Sequence, residues 1–218
     1  MRIILASASP RRKSLLESAG VKAEIIPSNA DESDADENIA LKSAEPDAAL
    51  ALSRARLKAF DVARSLSKQA NPFAVCPQKQ NQNGRGGFIV IGADTVVYKD
   101  GRFYGKPSDA ADARRMLSEL SGATHSVVTG VCIVDSDFDT RLFYERTLLT
   151  FSEIDPCAAE AYVNGGKSFG KAGAYGAQDK EIQTYIKCLD GELDNVIGLP
   201  VKKLLKHIEE NSKWRQWK

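Results

Sequence analysis

The chain has 218 residues, which is enough for one domain or for two closely packed lobes. Apolar residues make up 43% of it and charged residues 27%, as in an ordinary globular protein. The formal net charge is +1, so we expect no overall field that attracts nucleic acid or an acidic membrane, and any anion site must be local.

The four cysteines, Cys76, Cys132, Cys157 and Cys188, have neither C-x-x-C pairing nor metal-ligand spacing. This usage predicts reduced, mostly buried thiols in a cytoplasmic protein. No apolar run approaches the length of a membrane span, so we expect no membrane partner.

The first twenty residues predict a strand that turns directly into a helix. Residues 2–6 predict a short buried strand that is apolar and β-branched in its middle. Ser9 stands at the N-cap, Pro10 takes the first helical position and Gly20 ends the helix. Such a turn leaves unpaired N–H groups and a positive dipole end beside the sheet.

The same turn carries two hydroxyls and two guanidinium groups, from Ser7, Ser9, Arg11 and Arg12. Arginine in the first helical turn opposes the dipole, so helix stability does not explain it. A bound polyanion would explain it. The alternative is a capped surface helix with solvated arginines.

A second strand and an acidic loop over residues 29–38 come next, and then the strongest helical pattern, over residues 45–69. Lys58 lies at the flank of its apolar stripe, where spacing alone favours a lysine that covers apolar surface. Residues 69–87 are rich in Gln, Asn, Gly and Pro without periodicity, which predicts a flexible insertion.

Residues 88–95 predict a buried strand that ends at Asp94. Ligands of open α/β sheets lie at the carboxyl ends of strands, so Asp94 is a candidate catalytic residue, and its alternative is a turn residue. A hairpin over residues 96–104 follows, with its turn at Asp100-Gly101. Lys106, after it, either binds an anion or is solvated. The remaining pattern predicts three helices, of which one is capped by Ser108, one begins after Asp155 and one begins at Pro200. It also predicts strands over residues 124–135, 141–151 and 183–189, and a tail over residues 212–218.

Several of these motifs resemble the Maf family of nucleoside triphosphate pyrophosphatases, also described as septum formation inhibitors. They are Ser-Ala-Ser-Pro-Arg-Arg at 7–12, Gly-Ala-Asp-Thr at 92–95, Gly-Lys-Pro at 105–107, Lys-Ala-Gly-Ala-Tyr-Gly-Ala-Gln at 171–178 and Asn-Val-Ile-Gly-Leu-Pro at 195–200. The resemblance covers nearly the whole chain. It implies a single α/β domain over residues 1–218, with a mixed twisted sheet, flanking helices and two lobes around a central nucleotide-binding cleft.

The resemblance also implies an activity and a set of roles. The activity is hydrolysis of a nucleoside triphosphate to the monophosphate and pyrophosphate. Asp94 matches the general base and Lys106 a phosphate-binding lysine, while Glu32 and Asp94 would share a divalent cation, Mg or Mn. The implied substrate-binding residues are Ser7, Ser9, Arg11, Arg12, Lys58, Thr95, Lys171 and Gln178.

Three residues, Arg11, Thr95 and Gln178, match the markers of the family's pyrimidine subgroup, which favours dTTP and UTP. The alternatives within enzymes are an inosine triphosphate type and a 7-methyl-GTP type of pyrophosphatase. The alternative of another class is a nucleotide-binding regulator of cell division without turnover. We expect a nucleoside triphosphate as the partner, leave a homodimer open and do not expect nucleic acid.

One segment departs from the family pattern. Lys167, Ser168 and Gly170 stand where the family has a glutamate, a proline and an aspartate. Because two carboxylates are missing, we expect residual positive charge here, and the number of metal ions stays open.

Overall fold

The computed structural model of the protein describes residues 1–34, 45–70 and 87–215. The strands are β1 (Arg2–Leu5), β2 (Glu24–Ile25), β3 (Phe88–Lys99), β4 (Arg102–Tyr104), β5 (Thr124–Asp135), β6 (Thr140–Phe151) and β7 (Ile186–Asp190). The helices are α1 (Pro10–Ser18), α2 (Pro46–Ala70), α3 (Ala110–Leu120), α4 (Pro156–Asn164), α5 (Lys180–Gln183), α6 (Leu193–Ile197) and α7 (Val201–Glu210), with 3₁₀ turns at Glu32–Asp34 and Ala172–Ala174.

The strands form a seven-stranded sheet in the order β2-β1-β3-β5-β6-β7, with β4 paired to β3. The pairs of β1 with β2 and with β3 are parallel, whereas β3 with β4 and β6 with β7 are antiparallel. The parallel pairs are connected through helices α1 and α2, as parallel neighbours require. The predicted α/β class with a mixed sheet and flanking helices is therefore confirmed.

Two compact units make up the chain. Unit one contains Met1–Asp94, Gly130–Tyr144 and Leu199–Lys218, and unit two contains Thr95–Thr129 and Glu145–Gly198. The single domain over residues 1–218 stays a prediction.

Unit one buries apolar side chains on both faces of its strands, because successive strand residues point to opposite sides. Ile3 and Leu5 pack in one cluster with Leu16 of α1 and Leu204 of α7. Ile4 belongs to a second cluster, which α2 covers with a face of small side chains.

Helix α2 lies directly on two strands because each presents a glycine there. A Cβ on Gly92 would lie 2.3 Å from the carbonyl oxygen of Ala55, and a Cβ on Gly130 would lie 2.4 Å from the carbonyl carbon of Ala51. No larger side chain fits at either place without a shift of the helix. This approach determines where the polar side chains of α2 can reach.

Unit two has its own core, in which aromatic rings pack around His125. The His125 ring lies 5.2 Å from the Phe151 ring and 5.5 Å from the Tyr175 ring, measured between centroids. Leu117 and Leu120 of α3 are fully buried in the same core.

Three local predictions are wrong. Strand β3 does not end at Asp94 but continues to Lys99 as the first strand of a hairpin with β4, and that hairpin, predicted over residues 96–104, is confirmed. Helix α3 is capped by Asp109, whose side chain accepts the N–H of Asp112, and not by Ser108. The strand predicted over residues 183–189 begins only at Ile186, after helix α5.

The predicted tail 212–218 contains a core residue. Trp214 is 2% exposed, and its Nε1 donates to Asp135 Oδ2 at 2.9 Å. The insertion predicted over residues 69–87 lies almost entirely outside the described residues.

The thiols are less buried than expected. Of the cysteines that the structure describes, Cys132 is buried, whereas Cys157 and Cys188 are exposed, and all three are free. Burial raises the pKa of Cys132 to about 12, which makes that thiol unreactive. In the described ranges, no helix combines the length and the apolar character that a bilayer crossing requires.

Candidate active site

The turn between β1 and α1 is organised by the hydroxyl of Ser7, which is buried. Ser7 Oγ accepts a hydrogen bond from Arg12 Nη1 at 3.2 Å and another from the backbone N–H of Ser9 at 3.2 Å. Ser9 occupies the N-cap position without a side-chain capping bond, and Pro10 follows it as predicted. Ser7 thus anchors the Arg12 side chain at the start of the helix.

The guanidinium of Arg12 lies within the electrostatic influence of three other candidate residues. Its pKa lies below the ordinary value, chiefly because burial disfavours the charge. Asp94 and Glu32 oppose that effect, while Arg11 adds to it. Arginine stays charged at neutral pH in any case, so this turn presents a partly desolvated cation near two carboxylates.

Lys58 of α2 joins those two carboxylates. Its Nζ lies 2.6 Å from Asp94 Oδ1 and 2.9 Å from Glu32 Oε1, and the Lys58 side chain is only 14% exposed. Glu32 reaches this position from the 3₁₀ turn after β2. The ammonium of Lys58 therefore lies between two carboxylates that come from different elements.

Arg54, one helical turn before Lys58, belongs to the same cluster and was not predicted as a site residue. Its Nη1 lies 3.6 Å from Glu32 Oε2 and 3.8 Å from Asp94 Oδ2. The spacing of four residues from Lys58 was the available signal, because such residues share a helix face.

The second carboxylate oxygen of Asp94 has an unusual position. Asp94 Oδ2 is buried and accepts no hydrogen bond from the residues that the structure describes. A buried acceptor without a donor is costly and is characteristic of sites that bind a further group. Lys58 holds Oδ1, whereas Oδ2 lies 3.8 Å from the more distant guanidinium of Arg54 and can still take a proton or a cation.

A divalent cation fits these residues. Across residues 1–34, 45–70 and 87–215, His, Cys, Asp and Glu form no cluster of three or more that could hold a metal ion. Mg²⁺ is commonly held by one or two carboxylates together with phosphate oxygens of the substrate. Glu32 and Asp94 supply two carboxylates that already converge on one positive group, Lys58.

In unit two, Thr95 is directed towards strand β5. Its Oγ1 lies 2.9 Å from Thr129 Oγ1, which in turn donates to the backbone oxygen of Asn195 at 2.8 Å. A hydroxyl has one hydrogen, so Thr129 must accept from Thr95. This chain of hydrogen bonds orients Thr95 immediately after Asp94.

The loops of Lys106 and Lys171 meet in unit two. The backbone N–H of Gly173 donates to the carbonyl oxygen of Gly105 at 3.0 Å, and Gly173 has a positive φ of 71°. Lys106 is exposed, in contrast to Lys58.

Lys171 is neutralised by a residue that was not predicted. Its ammonium forms an ion pair with Asp179 and lies 3.2 Å from the Tyr162 hydroxyl. Lys167 likewise pairs with Glu181, at 2.5 Å. The residual positive charge expected in this segment is therefore absent, because carboxylates further along the chain replace the missing ones.

The predicted site residues fall into two groups. Unit one brings together Ser7, Ser9, Arg11, Arg12, Glu32, Lys58 and Asp94. Unit two contains Thr95, Lys106, Lys171 and Gln178.

A family model described as Maf-like protein matches residues 2–211. A dTTP/UTP pyrophosphatase of Bacillus thuringiensis subsp. konkukian is 40% identical over 96% of this chain and 95% of its own length. A dTTP/UTP pyrophosphatase of Ruminiclostridium cellulolyticum is 38% identical, over 95% of each chain. Among solved structures, a nucleoside-triphosphatase / dITP/XTP pyrophosphatase of Mycobacterium abscessus is 14% identical, with a TM-score of 0.41 over 95% of this chain and 93% of that chain. Because the family match and the two relatives span nearly the whole sequence, the chain belongs to the Maf family.

Proposed function

We propose that the protein is a nucleotide pyrophosphatase that hydrolyses dTTP and UTP to the monophosphate and pyrophosphate. The names of the 38–40% identical relatives support this substrate class. The observation that carries the chemistry is the Asp94 carboxylate. Lys58 holds one of its oxygens, and the other is buried, accepts no hydrogen bond from the described residues and lies 3.8 Å from Arg54 Nη1.

Asp94 acts as the general base in this proposal. Oδ2 takes a proton from the attacking water, whose oxygen bonds to the α phosphorus while the bond from that phosphorus to the bridging oxygen breaks. The bridging oxygen leaves with the pyrophosphate. Lys58 holds the carboxylate in one orientation, so the base is positioned before the substrate binds.

The positive charge needed for a triphosphate comes from the opening turn and from two lysines. A triphosphate carries about four negative charges, and Arg11, Arg12, Lys58 and Lys106 are the cations that neutralise them. Lys58 and Lys171 contribute less to this neutralisation than the family pattern implies. Asp94 and Glu32 already balance the charge of Lys58, and Asp179 balances that of Lys171.

Glu32 and Asp94 are the residues that would hold a divalent cation, Mg or Mn. When bound, such a cation supplies positive charge against the phosphate oxygens. Without it, two carboxylates beside a polyanion would repel the substrate.

The test is pyrophosphate release from a panel of canonical triphosphates, ITP and 7-methyl-GTP, with and without Mg or Mn. Asp94→Asn keeps the size of the side chain but removes the base, so we expect kcat to fall by about 100-fold or more with little change in substrate binding. Asp100→Asn is the matched control, because Asp100 is 83% exposed and pairs only with Lys99 among the described residues.

Near wild-type kcat in Asp94→Asn would remove Asp94 from this role. Preferred hydrolysis of ITP or 7-methyl-GTP would assign one of the alternative substrate classes. Nucleotide binding in calorimetry without pyrophosphate release, in every metal tested, would instead favour a regulator that binds without turnover.

A further inference from the structure

A compact polar cluster surrounds Asp179 in unit two. We use the name Asp179 cluster for Tyr162, Lys171, Gly176, Gln178 and Asp179. The Tyr162 hydroxyl donates to Asp179 Oδ2 at 2.5 Å, and Lys171 forms an ion pair with the same oxygen. Gln178 Nε2 donates to the other oxygen, Oδ1, at 3.0 Å.

The side chains of the cluster pack against Gly176, which has no side chain of its own. A Cβ on Gly176 would lie 2.6 Å from Asp179 Oδ2, 2.6 Å from Gln178 Nε2 and 2.9 Å from Lys171 Nζ. The backbone N–H of Gly176 also donates to the Tyr162 hydroxyl at 3.0 Å. A side chain at position 176 would therefore have to displace the polar ends of these three residues.

Asp179 is ionised in this setting. Burial alone would raise its pKa, but hydrogen bonds from Lys171 and Tyr162 outweigh burial, and the pKa of Asp179 lies below its ordinary value. Burial and the bond to Asp179 raise the pKa of Tyr162, so its hydroxyl keeps the proton that it donates.

The ionised carboxylate determines how the amide of Gln178 is turned. A carboxylate can only accept hydrogen bonds, so the amide must present its NH₂ group to Asp179 and not its carbonyl oxygen. Gln178 is half-buried, and its Oε1 makes no hydrogen bond to the part of the chain that the structure describes. Oε1 is therefore a fixed acceptor directed away from Asp179.

We propose that Asp179 is a positioning residue for base selection, which holds Gln178 so that its carbonyl oxygen accepts the N3–H of uracil or thymine. This inference rests on the proposed function, and it takes Gln178 as a residue that contacts the substrate, as the resemblance to the family implies. Uracil and thymine carry a hydrogen on N3, whereas cytosine has a lone pair there. An amide that can turn freely can pair with N3 of uracil, thymine or cytosine. An amide held by Asp179 can pair only with the N3–H of uracil or thymine.

The test is the ratio of kcat/KM for UTP to kcat/KM for CTP, together with calorimetric binding of UMP and CMP. In Asp179→Asn the side chain can donate as well as accept, so the Gln178 amide can turn either way. We expect the UTP to CTP ratio to fall by about tenfold or more, with a gain for CTP that a merely structural defect would not produce.

Two further variants keep the test interpretable. Lys171→Met combined with Asp179→Asn restores the charge balance of the cluster, so a loss of selectivity in this folded double variant cannot come from an unpaired lysine. Glu181→Gln breaks the neighbouring exposed pair with Lys167 and is expected to leave the ratio unchanged.

An unchanged UTP to CTP ratio and unchanged UMP to CMP binding, in a folded Asp179→Asn or double variant, would overturn the inference while the proposed function stands. If the wild type releases no pyrophosphate from any triphosphate, the proposed function fails instead. In that case the ratio of UMP binding to CMP binding is the measurement that tests whether Asp179 positions Gln178 for base selection.

Discussion

His125 makes the stability of the protein depend on pH in a way that can be calculated. It is 2% exposed, and its Nε2 lies 2.7 Å from the Tyr175 hydroxyl. Burial, and to a smaller extent the charge of Lys99, lowers the pKa of His125 to about 4, against 6.5 for an ordinary histidine. The folded protein therefore holds this side chain neutral over a range in which the unfolded chain protonates it.

The sign and size of the effect follow from this difference. Between pH 6.5 and 4 the unfolded state binds a proton that the folded state does not, so the free energy of unfolding falls as the pH is lowered. The stability that depends on a neutral His125 is fully present above pH 6.5 and is lost by about pH 4. A difference of about 2.5 between the two pKa values, at about 1.4 kcal/mol for each unit, corresponds to about 3 kcal/mol. About 2 kcal/mol of this is lost by about pH 5.

The measurement is urea unfolding between about pH 7.5 and about pH 5, for the wild type and for His125→Gln. The variant removes the titrating ring but keeps a polar partner for Tyr175. Between these two pH values its free energy of unfolding should therefore fall by about 2 kcal/mol less than that of the wild type. His207→Gln is the control. His207 is half-buried, and burial together with Arg141 lowers its pKa too, but without a large shift.

The same fall of unfolding free energy in His125→Gln and in the wild type would refute the reasoning. It would mean that the buried ring takes up a proton without cost. A loss of the acid sensitivity in His207→Gln, and not in His125→Gln, would refute it as well.

Three further predictions concern the opening turn and two glycines. Arg12→Ala should weaken triphosphate binding by about tenfold or more, and monophosphate binding less, because the side chain neutralises phosphate charge; calorimetry with UTP and UMP measures this, and equal weakening would contradict it. Gly92→Ala should lower the free energy of unfolding by about 3 kcal/mol or more, since its Cβ would lie 2.3 Å from the Ala55 oxygen, whereas Gly105→Ala, with nothing within 4 Å, should be tolerated. Gly170→Ala should cost about 1 kcal/mol in urea unfolding because Gly170 has a φ of 70°, and a neutral result would show that this backbone relaxes easily.

The sequence determined those parts of the fold that depend on near neighbours. Pro10 begins α1 and Gly20 ends its segment with a φ of 78°, because each conformation is intrinsic to the residue. Strand β5 has the predicted bounds, and Asp155 and Pro156 start α4 as expected. The motifs also identified the family, since a motif is a property of the sequence alone.

The position of Asp94 within its strand was decided by the tertiary structure. The sequence predicts a strand that ends at Asp94 and a separate hairpin over residues 96–104. The hairpin forms, but its first strand is the continuation of β3, so Asp94 lies inside a strand. What makes Asp94 distinctive is the approach of α2 to Gly92, which brings Lys58 to its side chain. No local pattern shows that approach.

Charge balance was likewise decided only by the tertiary structure. From the sequence, the loss of two acidic positions at Lys167 and Gly170 predicts excess positive charge. In the folded chain, Lys167 pairs with Glu181, and Lys171 pairs with Asp179. Ion pairs form between groups that the backbone brings within about 4 Å, and a count along the chain does not contain that distance.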